Sequence, residues 1–264
     1  MIPKKIHYCW FGGNPLPLLA QKCIESWRIN LPDYEIIEWN ETNYNVHKIP
    51  YISQAYEAKK YAFVSDYARV DILNEYGGVY FDTDVEVLKD MSPILDKGPF
   101  LGLEAPGAIA NGLGMATEKG DAILEEILNS YRNENFVNPD GSFNLKTVVT
   151  RVSDIFKKYG FTNEGSRIQN VANYSIYPPE YFSPKNVVTG IIRITENTYT
   201  IHHYDASWLE DWQKKVQIKK HKIFNVLGEN IISKMIVSFY YSYMALRNLG
   251  LKGGLDYIFS KIKH

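Results

Sequence analysis

The stretch Tyr76-Gly77-Gly78-Val79-Tyr80-Phe81-Asp82-Thr83-Asp84-Val85-Glu86-Val87 decides the fold. Its two glycines close a helical pattern, and Val79-Tyr80-Phe81 reads as a short buried strand. Asp82 and Asp84 therefore emerge at a strand end, two residues apart. In extended chain that spacing points both carboxylates to one side. A lone Asp-x-Asp is common in solvated turns. Here an apolar strand precedes it and the strand-like Val85-Glu86-Val87-Leu88 follows, which places it at the open edge of a sheet. Two hard oxygen ligands in that position suit a divalent cation carrying a diphosphate.

Outward from this strand, helical and strand patterns alternate. Lys5 to Trp10 reads as a first strand running into the loop Phe11-Gly12-Gly13-Asn14-Pro15. Leu19, Cys23, Ile24 and Trp27 then fall at helical spacing, and Tyr34 to Trp39 is a second strand. This strand–helix–strand opening predicts an α/β fold with a partly parallel sheet. A helix is expected from about Ser53, and a stronger one from Val64 to Tyr76, stopping at Gly77. Further strands are expected at Pro99–Leu103, at Ala108–Ala116 with breaks at Asn111-Gly112 and Gly114, and at Tyr199–His203. Helices are expected at Asp121–Tyr131 and Leu145–Tyr159, with the turn Asn138-Pro139-Asp140-Gly141 between them. The tail reads as helical from Trp212 and again from Ile231 to Asn248. The expected division is a site-bearing domain over residues 1–211 and a basic, aromatic helical extension over residues 212–264.

The composition, 45% hydrophobic and 22% charged, is that of an ordinary soluble globular protein. The two cysteines, Cys9 and Cys23, suggest neither a disulfide framework nor a zinc site. The N-terminus has no secretory pattern and no apolar run reaches membrane-spanning length, so the expected compartment is the cytoplasm. The formal charge of −1 hides an asymmetry: from Trp212 onward there are ten Lys or Arg and two acidic residues. Phe239, Tyr240, Tyr241, Tyr243, Met244 and Leu246 lie among these charges. The tail is therefore either a cap packed on the first domain or a surface helix docked peripherally on the inner membrane leaflet.

Other residues group around the carboxylates. Asp66 and Arg69 share a helix face at i,i+3 with apolar Ala62 and Leu73. A plain surface ion pair would contribute little. Charges on an apolar stripe beside the carboxylate strand favour a site, in which Arg69 suits phosphate or sugar oxygens and Asp66 accepts from sugar hydroxyls. Trp10, ending the first strand, is placed either to stack on a base or to fill the core. In His202-His203-Tyr204-Asp205-Ala206-Ser207-Trp208, a histidine or Asp205 could complete a metal sphere, while Ser207 and Trp208 could close over a phosphate. Adjacent strand residues point to opposite faces, so at most one histidine is a ligand, and either alone could be structural.

Ile2-Pro3-Lys4-Lys5-Ile6-His7-Tyr8-Cys9-Trp10, Tyr61-Ala62-Phe63-Val64-Ser65-Asp66-Tyr67-Ala68-Arg69 and the run from Leu73 to Asp84 resemble the family 32 glycosyltransferases. That family includes yeast initiating mannosyltransferases, bacterial capsular polysaccharide enzymes and relatives of the clostridial glucosylating toxins. The resemblance is strongest over residues 1–105 and extends to about 210. It implies a GT-A-type, nucleotide-sugar-binding, Rossmann-like sheet with helices on both faces. It also implies a Mn²⁺ or Mg²⁺ requirement and transfer of a hexose with retention of configuration. Trp10 would stack on the nucleobase, and Asp66 and Arg69 would contact the donor sugar with Tyr80 nearby. Asp82 would contact ribose, sugar or metal through water, Asp84 would bind the metal, and Asn111 would belong to a donor-side loop. His203, ahead of Ser207-Trp208, is the best match for a late metal ligand. The implied partners are a nucleotide-sugar donor, UDP-linked by default with GDP-mannose as the other choice, and a glycan acceptor, without nucleic acid. The acceptor expected from the family is a lipid-linked capsular or exopolysaccharide repeat. Pro139-Asp140-Gly141-Ser142 departs from the Thr-Gly-Pro of many relatives, which leaves the acceptor side open.

Other readings compete. Two carboxylates roughly 6.5–7 Å apart along a strand would suit a metal-independent glycoside hydrolase. A sugar nucleotidyltransferase would want a Gly-rich phosphate loop, and Phe11-Gly12-Gly13-Asn14-Pro15 is a poor one. A non-catalytic glycan-binding module would not need Asp66, Arg69, Asp82 and Asp84 together.

Overall fold

Alternation along the strands divides the core of the protein between two sheet faces. A computed structural model describes residues 1–105, 107–205 and 209–262, with side chains to residue 258. Strand β1 (Lys5–Cys9) turns Ile6 and Tyr8 to one buried cluster and Cys9 to the other. Helix α1 (Leu18–Asn30) leads to β2 (Glu35–Trp39), which lies parallel to β1 with Lys5 opposite Glu35. Helices α2 (Pro50–Glu57) and α3 (Tyr61–Tyr76) precede β3 (Gly78–Tyr80), parallel to the other side of β1 with His7 opposite Tyr80. This is the expected parallel opening, in which crossover helices join strands of one direction.

The remaining elements are β4 (Val85–Val87), α4 (Ser92–Leu95), β5 (Phe100–Glu104), β6 (Ala108–Ile109), β7 (Met115–Thr117), α5 (Ala122–Asn129) and α6 (Val148–Lys158). They continue as β8 (Gln169–Val171), β9 (Tyr174–Tyr177), α7 (Pro179–Phe182) and β10 (Thr200–His202). The main sheet has the order β2-β1-β3-β7-β5-β9-β8, with β6 on β5. It is mixed: β5 and β9 are also parallel, while β3–β7, β7–β5 and β9–β8 are antiparallel. Helices α2, α3, α5 and α6 cover one face and α1, α4 and α7 the other. The expected α/β sheet with helices on both faces is therefore present.

The expected strand over Ala108–Ala116 is two strands, β6 and β7. The chain turns at Asn111-Gly112, where the Gly112 carbonyl accepts the Asp82 N–H at 2.9 Å. Helix α2 begins at Pro50, ahead of the expected Ser53, because proline is pre-set for the first helical position.

Residues Met1–Lys185 and Arg193–His203 form one unit. Asn186–Ile192 and Tyr204–His264 form a second. It holds α8 (Asp211–Leu227) and α9 (Ile231–Ile262), the latter broken at Gly250 (φ 72°, ψ 175°). A reciprocal capping box of Glu210 and Gln213 starts α8. Trp212 and Val216 of α8 pack on Met244 and Ala245 of α9, with Tyr240, Tyr241 and Tyr257 beside them. Among the described residues no helix is long and apolar enough to cross a membrane.

Candidate active site

Two glycines let the carboxylate strand reach its place. The Gly77 N–H caps α3 by bonding the Leu73 carbonyl at 2.8 Å. Gly78 has φ 107°, and a Cβ there would lie 2.7 Å from the Lys5 carbonyl oxygen. Only glycine meets both demands, and β3 thereby comes close against β1. Alternation then turns Val79 and Phe81 to the α1 side and Tyr80 to the α3 side.

Arg69 of α3 waits on that side, 6% exposed. Its guanidinium lies over the Tyr80 ring, 5.0 Å from the centroid. One terminal nitrogen is 3.1 Å from Asp66 Oδ1 and 3.0 Å from Asp82 Oδ1. The other donates to Asp82 Oδ2 at 3.3 Å, and Nε donates to the Ser65 carbonyl at 3.2 Å. The planar fork thus joins two carboxylates that burial would otherwise set against each other. The Tyr80 hydroxyl donates to Asp82 Oδ1 at 3.2 Å. Asp66 also accepts the Val148 N–H, from the first turn of α6, at 3.3 Å. Burial raises the Asp66 pKa above the ordinary carboxylate value, and the Arg69 charge opposes that rise.

The Asn111-Gly112 turn lies directly on this pair. A Cβ on Gly112 would stand 1.9 Å from Asp82 Oδ2 and 2.5 Å from Arg69 Nη1. Asn111 is fully buried, and among the described residues neither its carboxamide oxygen nor its nitrogen has a hydrogen-bond partner. An unpaired buried amide costs about 1–3 kcal/mol, so this turn holds unmet polar capacity beside Asp82.

Asp84 is in different company. The Asp82 carbonyl accepts the Val85 N–H at 3.0 Å, so residues 82–85 form a turn. The two-residue alternation expected of extended chain therefore does not govern Asp82 and Asp84, and each carboxylate finds its own partner. Strand β10 runs antiparallel to β4 with His202 opposite Val85. His202 Nε2 lies 3.1 Å from Asp84 Oδ1. Burial works against the charged ring of His202, but the Asp84 carboxylate prevails and raises its pKa. His203, the expected late ligand, turns the other way: its Nε2 meets Glu86 Oε2 at 2.8 Å. Alternation along the strand is the reason, and it makes His202 the histidine at Asp84. Asp205 belongs to the second unit, and Ser207 and Trp208 lie outside the described residues.

Trp10 follows β1 at the carboxyl edge of the sheet, where its backbone N–H donates to the Trp39 carbonyl at 2.8 Å. Its indole N–H donates to the Asn14 carbonyl at 2.6 Å, and the ring packs partly on the α1-side cluster. It is both a core residue and a residue of the open edge.

Sequence reasoning missed Gly112 and Arg151. The dipeptide Asn111-Gly112 was legible as a break, but its approach to Asp82 was not. Arg151 of α6 is 2% exposed. It donates to the Ser130 carbonyl at 3.1 Å, pairs with Glu134 and lies 4.0 Å from the Tyr131 ring centroid. An arginine in an amphipathic helix carries no sign of such burial. It fixes the helix whose first turn binds Asp66.

Among the described residues no group of three or more His, Cys, Asp and Glu side chains is placed to hold a metal ion. Mg²⁺-type sites use one or two carboxylates together with substrate phosphates, so a full protein cage is not required. A carboxylate oxygen beside an imidazole nitrogen is a donor set that Mn²⁺ accepts. Asp84 and His202 therefore fit a divalent cation that shares its sphere with a diphosphate.

Residues 17–101 match the family model described as "Glycosyltransferase sugar-binding region containing DXD motif". This span includes Asp66, Arg69, Tyr80, Asp82 and Asp84. The chain is 30% identical over 196 residues to inositol phosphoceramide mannosyltransferase 1 of Schizosaccharomyces pombe, covering 69% of this chain and 60% of that protein. It is 26% identical over 198 residues to mannosyl phosphorylinositol ceramide synthase CSH1 of Saccharomyces cerevisiae, covering 69% and 51%. The chain thus spans less than two thirds of the length of these curated relatives. A solved structure titled PaToxG Glycosyltransferase is similar at a TM-score of 0.46 and 21% identity, covering 60% of this chain and 68% of that one. The chain has mannosyltransferases among its homologues, and they support a transferase.

Proposed function

We propose that the chain is a metal-dependent glycosyltransferase that moves a hexose from a nucleotide sugar to a glycan acceptor with retention of configuration. The observation that carries this reading is the Arg69 bridge between Asp66 and Asp82, set beside Asp84 and under the Asn111-Gly112 turn. A donor-sugar site needs fixed acceptors for hydroxyls and a fixed cation near the diphosphate. Arg69 supplies the cation and holds both carboxylates in one geometry. Two relatives are named as mannosyltransferases, which puts a mannosyl donor such as GDP-mannose ahead of the UDP-sugars. The acceptor proposed is a lipid-linked glycan, of the capsular or exopolysaccharide kind.

In this reading Asp84 and His202 hold Mn²⁺ or Mg²⁺, which supplies Lewis-acid stabilisation of the charge that builds on the diphosphate. Asp66 accepts from sugar hydroxyls, Asp82 from sugar or ribose, and Trp10 lies along the base. The acceptor oxygen bonds to the anomeric carbon on the face from which the phosphate oxygen departs. That departing oxygen takes the acceptor proton, so no protein nucleophile is needed.

The test is donor hydrolysis across a panel of GDP- and UDP-sugars, with Mn²⁺ and then with chelator, for the natural chain and Asp84→Ala. Metal-dependent release of one nucleotide, lost in the variant, is the expected result. No release from any donor, together with no thermal stabilisation by Mn²⁺ and nucleotide, would remove the donor-site assignment.

A further inference from the structure

Helix α9 is apolar on two opposite sides. One side carries Met244 and Ala245, buried against Trp212 and Val216 of α8. The other carries Ile231, Ile232, Met235, Ile236, Phe239 and Tyr243, all exposed, with Ile231 and Phe239 each at 76%. At 3.6 residues per turn these six side chains fall within an arc of roughly 140°. No charged residue lies within that arc: Lys234 and Arg247 fall outside it. A helix at a protein surface ordinarily turns its charges outward, so a charge-free apolar face of this length marks an interaction surface. The face continues to the tip of the hairpin, where Val226 and Leu227 of α8 are also exposed.

Charge identifies the partner. The stretch from Trp212 to His264 carries ten Lys or Arg against two acidic residues. On α8, Lys215, Lys219 and Lys222 are exposed at i, i+4 and i+7, forming one stripe that runs toward the apolar tip. A second copy of this chain would bring the same positive charge and be repelled. An anionic lipid surface offers an apolar boundary and negative headgroups together. We infer that the α8–α9 hairpin docks on an anionic bilayer, with the Ile231–Tyr243 face set into the headgroup boundary and the lysine stripe on lipid phosphates. Because no helix among the described residues is long and apolar enough to cross, the hairpin lies on the bilayer rather than through it. The inference stands apart from the transfer reading, since vesicle binding needs neither donor nor acceptor.

The experiment is flotation of the full chain with vesicles of phosphatidylglycerol and phosphatidylcholine, and with phosphatidylcholine alone. Three proteins are compared: the natural chain, Ile232→Glu with Phe239→Glu, and Ile29→Glu, which charges an exposed apolar position on α1. Expected are binding to the anionic vesicles, a partition weakened about tenfold or more in the double variant, and no change in Ile29→Glu. Amide exchange on the natural chain provides a second reading that needs no variant: vesicles should protect residues 226–243 and leave α1 unchanged. Flotation with neither vesicle would overturn the inference, as would equal flotation of the double variant or protection elsewhere. A concentration-dependent dimer of the natural chain, abolished by the double variant without vesicle binding, would overturn it in favour of a second copy.

Discussion

Acidification should weaken this fold through one residue, His7, before most carboxylates titrate. His7 is fully buried in β1, beneath the site. Its Nδ1 faces the indole N–H of Trp39 at 3.1 Å, and its Nε2 faces the Gly77 carbonyl at 2.9 Å. An indole only donates and a carbonyl only accepts, so Nδ1 must be bare and Nε2 must carry the proton. The neutral ring is thereby fixed in one tautomer. A second proton would set N–H against N–H at Trp39. Burial accordingly lowers the His7 pKa from the ordinary 6.5 to about 4, with the Gly77 bond opposing the fall. The folded value is depressed, so this contribution to stability is whole above pH 6.5 and is lost as pH falls toward 4. At about 1.4 kcal/mol per pH unit the full loss is about 3 kcal/mol, of which about 2 kcal/mol is gone by pH 5.

Urea unfolding at pH 8, 7, 6 and 5 measures it, with His7→Gln run beside the natural chain. Asp66, Glu104 and His202 also have raised values and titrate in both proteins, so they cancel in the difference. Glutamine can still donate to Gly77 but leaves the Trp39 N–H unpaired, and the variant should be less stable by about 1–3 kcal/mol at pH 8. That gap should narrow by about 2 kcal/mol between pH 8 and pH 5. A gap constant to within about 0.5 kcal/mol across the range would refute the claim that His7 is held neutral.

Three further outcomes follow from the site. Gly112→Ala places a Cβ against Asp82 Oδ2 and Arg69 Nη1, and the Asp82 carboxylate, at a side-chain tip, is what yields. Stability should fall by only about 1–3 kcal/mol in urea, while nucleotide-sugar binding by calorimetry falls about a hundredfold. Arg69→Met leaves Asp66 and Asp82 without their shared cation, which should cost about 3–5 kcal/mol in the same assay, partly restored by adding Asp82→Asn. His202→Ala should raise the Mn²⁺ concentration for half-maximal thermal stabilisation about tenfold, whereas His203→Ala, whose ring faces Glu86, should shift it by less than about threefold.

Much of the first unit was legible because its signals are local. The strand–helix–strand opening, the stop of α3 at Gly77 and the strand before Asp82 each follow from periodicity and glycine placement within a dozen residues. The pair Asp66 and Arg69 was legible for a similar reason, since two charges on an apolar stripe must find partners. What escaped was long-range. Nothing near Gly112 says that it must lie against a carboxylate thirty residues earlier. Nothing near Arg151 says that its helix will present Val148 to Asp66. The register of β10 against β4, which gives His202 rather than His203 to Asp84, depends on a pairing between segments more than a hundred residues apart.

The two carboxylates of the Asp-x-Asp motif therefore have different settings. The first is held in place: Asp82 Oδ1 accepts from Arg69 and Tyr80, Oδ2 accepts from Arg69 with capacity left for a further donor, and the backbone N–H bonds the Gly112 carbonyl. Asp82 thereby links α3, β3 and the Asn111-Gly112 turn. The second carboxylate lies past a turn, beside an imidazole on a separate two-stranded sheet. A cation at Asp84 would thus be set by β4 and β10, while a sugar beside Asp66 would be set by α3 and α6. The chain passes from the main sheet to the two-stranded sheet between residues 82 and 84, with Thr83 between the two carboxylates. Lengthening that step by one residue should leave both halves folded and abolish metal-dependent turnover, because the diphosphate and the sugar must be held in register at once. Turnover that survived the insertion would mean that Asp84 is not the carboxylate that sets the metal.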